Sequence, residues 1–168
     1  MSYRRRKSES FCGVEVHGDS EFRRRTGEAL LLLQPLEQFE LIQTHLAAIR
    51  QGTRSGVTAW ASRPVFTVGA ATWNYSSLWY GGAIAHDAYH AKLYRDAKNR
   101  CQGTDPEAEA WSGKAAERAC LSFQRQVLLA LKADHRILDH IEKHLRNPTY
   151  QGRNKGTGGW LDYRKRWW

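Results

Sequence analysis

Apolar and polar positions change their period several times along the chain, and each change marks an element. Phe11-Cys12-Gly13-Val14-Glu15-Val16-His17 alternates and predicts a short strand. Asp19 or Ser20 is placed to cap a helix that runs through Ala29-Leu30-Leu31-Leu32-Leu33 and ends near Pro35. Leu36, Phe39, Leu41, Ile42, Leu46 and Ile49 recur at helical spacing and predict a second helix, closed by Gly52. Val57-Thr58-Ala59-Trp60 and Pro64-Val65-Phe66-Thr67-Val68 are rich in β-branched and aromatic residues, which predicts two strands joined by Ala61-Ser62-Arg63. A long helix follows from Ser76 or Ser77 to about Lys98. The next begins at Thr104-Asp105-Pro106-Glu107, where a capping side chain precedes proline, and extends to about Lys132. The last covers roughly 135–146 and stops before Pro148.

This order predicts an α+β domain, a small β-sheet packed on a bundle of four to five helices. A length of 168 residues suits one domain with its own core. The domain is read as 11–147, between a basic N-terminal tail, 1–10, and a glycine-rich basic and aromatic C-terminal tail, 148–168. No apolar run approaches the ~18 residues that would cross a bilayer. The basic start, Met1 to Lys7, leads into no apolar segment and does not read as a secretory signal. Cys12, Cys101 and Cys120 have neither metal-knuckle spacing nor the even number of a disulfide framework, so the expectation is a cytoplasmic chain with reduced thiols.

Charge changes the picture only at the ends. Residues 1–25 carry 7 basic and 4 acidic side chains, residues 143–168 carry 7 and 1, and the stretch between holds 12 of each. The formal net charge of +9 therefore comes wholly from the termini. Such ends read first as solvated tails and second as a grip on nucleic acid. In the C-terminal tail Trp160, Tyr163, Trp167 and Trp168 interleave with Arg164, Lys165 and Arg166, a pattern suited to stacking on bases, to a membrane surface, or to docking back as a lid.

The chemistry sits where the pattern is violated. Residues 78–94 are apolar almost all the way round a helical wheel, as in a central buried helix, yet contain His86, Asp87 and His90. At helical spacing His86 and His90 lie about 40° apart, sharing a face with Trp79, Ala83 and Leu93. Glu117 stands at the centre of the next helix's apolar stripe, among Cys120, Leu121, Gln124, Leu128 and Leu131. Two imidazoles and a carboxylate in a core need partners, because burying them unpaired is costly. One divalent metal held by His86, His90 and Glu117 answers all three, and histidines at i and i+4 are the spacing that lets two ring nitrogens meet one Zn²⁺. Spacing alone means little, since seven histidines give about 0.3 such pairs by chance. A second pair, His140 and His144, lies on a polar helix and reads as a solvated face. Glu109, about 80° from Glu117 at helical spacing, is the reserve third ligand, with a surface role favoured by its polar neighbours. Tyr80, Tyr89, Arg118 and His135 are weaker candidates for stabilising an oxyanion, and Gly81-Gly82 reads as close packing against the sheet.

A strand leading into a helix with His-Glu-x-x-His, followed by a second helix that offers Glu, is the core of the gluzincin zinc metallopeptidases. The present chain resembles that core over roughly 60–132, with the strand at Pro64–Val68, the histidines in Ala85-His86-Asp87-Ala88-Tyr89-His90, and Glu117 in Ala115-Ala116-Glu117-Arg118-Ala119-Cys120. The resemblance implies a minimal zincin-like fold, Zn²⁺ on His86, His90 and Glu117, and hydrolysis of a peptide or protein substrate by a metal-bound water. It also implies that Asp87 stands where the family has its general base, Glu. Asp is one methylene shorter, about 1–1.5 Å less reach, and a misplacement of that size costs about 10²-fold. A non-catalytic metal-binding domain and a basic nucleic-acid-binding module are the alternatives.

Overall fold

The sheet begins with a hairpin. The computed structural model describes residues 8–146, and strands β1 (Ser8–Phe11) and β2 (Val14–His17) pair antiparallel. The single strand expected over 11–17 is thus a turn and two half-strands. Cys12 and Gly13 both take positive φ, 50° and 83°, as a two-residue hairpin loop requires. β1 reaches back to Ser8, into the stretch read as a tail.

Helix α1 (Ser20–Leu33) is capped as expected, the Asp19 side chain accepting from the Phe22 amide. The second predicted helix is shorter than its apolar spacing suggests. α2 covers only Phe39–His45; Leu46 is already extended, and Ala48–Gln51 is strand β3. Periodicity cannot separate a four-residue strand from one more helical turn, and here pairing on both sides decides. β3 lies parallel to β2 and to β5 (Val65–Val68), while β4 (Gly56–Val57) pairs antiparallel with β5. The order is β1-β2-β3-β5-β4.

A one-turn helix, α3 (Ala70–Trp73), precedes α4 (Ser77–Arg100), whose first turn is capped by the Ser76 hydroxyl on the Trp79 amide. The helix expected from Thr104 does not start there. Asp105 accepts from Tyr94 Oη at 2.7 Å and Lys98 Nζ at 2.9 Å, which ties that loop back to α4. The helical residues are instead α5 (Glu109–Ser112) and α6 (Lys114–Ala130), parted at an extended Gly113. A Cβ at Gly113 would lie 2.2 Å from Glu109 Cδ, so a larger residue there would require the exposed Glu109 side chain to move. α7 (His135–Arg146) matches its expected span.

The result is the expected α+β arrangement, a mixed sheet with helices packed on it. Val14, Val16, Ile49, Phe66 and Val68 are fully buried, whereas Glu15, His17 and Thr67 on the same strands are partly exposed. α4 runs through the centre, against α1, α2 and α6. Burying each large apolar side chain there contributes about 1.5–3 kcal/mol. Gly81 and Gly82 admit helices, not the sheet. Gly81 faces Leu33 and Leu131, and a Cβ on Gly82 would meet Leu128 at 3.0 Å and Gln124 Nε2 at 3.3 Å. α4 and α6 therefore lie close together at the level of the histidines. No helix among the described residues is long and apolar enough to cross a membrane.

Candidate metal centre

The seam between α4 and α6 brings three of the predicted residues to one point. His86 and His90, one turn apart on α4, direct both Nε2 atoms at each other, 3.1 Å apart. Glu117 in the first turn of α6 closes the triangle, with Oε1 3.2 Å from His86 Nε2 and Oε2 3.1 Å from His90 Nε2. The positive end of the α6 dipole favours a carboxylate at that position. All three side chains are at most 2% exposed.

Protons decide what this triangle needs. His90 Nδ1 lies 2.7 Å from the Trp111 carbonyl oxygen, which can only accept, so Nδ1 carries the hydrogen. In neutral His90, Nε2 is then a lone pair facing a carboxylate. His86 Nδ1 lies 3.0 Å from Gln124 Oε1, which imposes the same tautomer on His86. Both Nε2 atoms and the Glu117 carboxylate converge on one point, an arrangement that either a shared proton or a cation between the atoms satisfies.

The surrounding charge points the same way. The buried acidic side chains among the described residues are Asp87 and Glu117, and no lysine or arginine is buried with them. The separations also fit, because four ligands at the ordinary Zn–N or Zn–O length of about 2.0–2.1 Å sit about 3.3–3.4 Å from one another in a tetrahedron. A His–His–Glu donor set is of the kind that holds Zn²⁺, and the Trp111 and Gln124 oxygens are placed as the hydrogen-bond acceptors that orient imidazoles in such sites.

Asp87 is next to the triangle but not within it. It is 2% exposed, and with Ser55, Phe66, Ala83, His86 and Gln124 it lines a narrow gap with no room for a water-sized sphere. Gln124 is fully buried, and its Nε2 has no hydrogen-bond partner. An open groove of about 490 Å³ lies elsewhere, along Glu37, Glu40, His45, Lys92 and Phe123, and contains none of the three.

The weaker candidates scatter. Glu109 is exposed on α5, as are Arg118 and His135. The Tyr80 hydroxyl is 2.8 Å from Thr26 Oγ1 in the core, where burial pushes its pKa well up, and Tyr89 stacks on Phe123. On α7 His140 is exposed with its ring 5.4 Å from that of Trp79, and the half-buried His144 donates from Nδ1 to the His140 carbonyl. The C-terminal tail aromatics and bases lie outside the described residues.

Three participants escape a reading by residue type. Gln124 and Cys120 stand on the same stripe as Glu117, seven and three residues on, and their polar atoms were the available signal. Cys120 is fully buried, and its sulfur and one ring nitrogen each of His86 and His90 all lie within 4.8 Å of one another. The Trp111 carbonyl is backbone, and no side chain announces it. No protein-family model matches the chain, and neither the curated proteins nor the solved structures include a significant match.

Proposed function

We propose that the chain is a zinc-dependent hydrolase of the metallopeptidase type, with the ion held by His86, His90 and Glu117. The observation that carries this reading is the convergence of two histidine lone pairs and a buried carboxylate within 3.2 Å, each ring fixed by a bond from its other nitrogen. A bound zinc ion would supply Lewis acidity and make a water molecule acidic enough to attack at neutral pH. The chain's own part is to orient the ligands and to move a proton. Trp111 and Gln124 hold His90 and His86; Asp87, one residue along α4 from His86, is the proton acceptor for the attacking water and returns that proton to the leaving amine. Substrates of this reading are peptides or proteins. Three free cysteines fit a reducing, cytoplasmic setting.

The enclosure of the centre favours a second reading, a non-catalytic metal site that braces α4 against α6. Structural zinc sites are closed by four protein ligands, whereas catalytic ones keep a position for water. Asp87→Asn separates the two. In the hydrolase, zinc content is unchanged and cleavage of a peptide library is lost. Wild-type protein that holds zinc and cleaves nothing overturns the hydrolytic reading and leaves the structural one.

A further inference from the structure

Three ligands leave one position of a tetrahedral zinc to be filled, and the seam offers one more donor. The geometry points to Cys120 as the fourth ligand of the same ion, an inference that rests on the metal reading of His86, His90 and Glu117. Cys120 follows Glu117 by three residues on α6, so both side chains face α4. It is 0% exposed, and its sulfur stands within 4.8 Å of a ring nitrogen of each histidine. The tetrahedral S–N separation for Zn–S of about 2.3 Å and Zn–N of about 2.0 Å is about 3.5 Å, so the sulfur has at most about 1.3 Å to close.

The other two cysteines are not placed for this. Cys12 sits in the β1–β2 turn, and Cys101 is exposed beyond the end of α4. A buried cysteine is more often a small apolar filler. What sets Cys120 apart is its place beside three converging acceptors. As a thiolate it would supply a soft ligand that zinc and cobalt prefer, and it would close the centre to water in the conformation described. Hydrolysis would then require the sulfur to step aside.

Cobalt reports a bound sulfur directly. Full-length protein is stripped of metal, titrated with Co²⁺ and followed by absorption, with bound cobalt counted by elemental mass spectrometry. One Co²⁺ per chain with a strong near-ultraviolet thiolate-to-cobalt band is expected, together with visible bands of tetrahedral intensity. Cys120→Ser should keep the cobalt and lose the near-ultraviolet band, while Cys12→Ser and Cys101→Ser leave it unchanged. Cobalt bound without that band overturns Cys120 as a ligand and leaves the three-residue centre standing. Failure to bind cobalt or zinc at all overturns both. Should Cys120→Ser not fold, X-ray absorption on the wild-type zinc protein decides: a sulfur neighbour at about 2.3 Å supports the assignment, and nitrogen and oxygen alone contradict it.

Discussion

Two histidine pairs in this chain share one spacing and nothing else. His86 and His90 lie on a helix packed on several sides, face a buried glutamate, and have both Nδ1 atoms engaged by fixed oxygens. On α7 His140 is exposed and His144 half-buried, flanking the buried Ile137 and Ile141. There His144 donates to its own helix, and His140 sits with its ring 5.4 Å from that of Trp79. The first pair is enclosed beside a carboxylate, whereas His140 is exposed. The spacing is the same in both, so the proposed centre rests on the enclosure and the carboxylate.

Breaking the inner pair should have the largest effect. His90→Ala or Glu117→Ala is expected to take zinc from about one per chain to near zero. Each also leaves a buried polar partner uncompensated, a loss of about 3–5 kcal/mol. For a domain of this size that lowers Tm by roughly 10 °C, which calorimetry reads. His140→Ala, in contrast, should keep the zinc and change stability by about 0.5 kcal/mol or less.

The next effect is on chemistry alone. Asp87→Asn should leave zinc content and fold intact while lowering peptide hydrolysis by about 10²–10⁴-fold. Asp87→Glu keeps the carboxylate and lengthens its reach, so it should retain activity. A third substitution probes what makes the inner pair special. Gln124→Leu removes the acceptor on His86 Nδ1 and should weaken zinc binding by about 10–100-fold in a chelator competition.

The smallest effect belongs to the outer pair and appears in pH. Partial burial holds the His140 pKa below the ordinary histidine value, and the neighbouring His144 and Lys143 charges lower it further. A base with a lowered folded pKa stabilises the fold while neutral. Its contribution is whole above the unfolded pKa of about 6.5 and declines as pH falls below it. His140→Gln should therefore flatten the acid side of the stability curve slightly, read by urea denaturation between pH 5 and pH 7. The inner pair's acid sensitivity, by contrast, should follow loss of zinc.

The sequence made the centre legible because its residues break an otherwise apolar pattern. His86, His90 and Glu117 stand on faces that should be wholly hydrophobic, and a buried charge calls for its counterpart. α1, α4 and α7 were legible from caps and period, with Asp19 and Ser76 capping as expected. What failed was local competition settled by tertiary structure. Ala48–Gln51 continues a helical period yet pairs with strands on both sides. The Thr104–Glu107 start looks well capped, but Asp105 is taken by Tyr94 and Lys98 instead. The tethers on His86 and His90 come from a stripe glutamine and a backbone carbonyl, whose roles exist only once α4, α5 and α6 are packed.

The measurement that bears most directly on the account is metal content by elemental mass spectrometry on purified wild-type, His86→Ala and His140→Ala proteins. The expected result is about one zinc per chain in the wild type and in His140→Ala, and none in a folded His86→Ala. Wild-type protein without a stoichiometric metal, or zinc that leaves with His140 and stays without His86, would contradict a centre between α4 and α6.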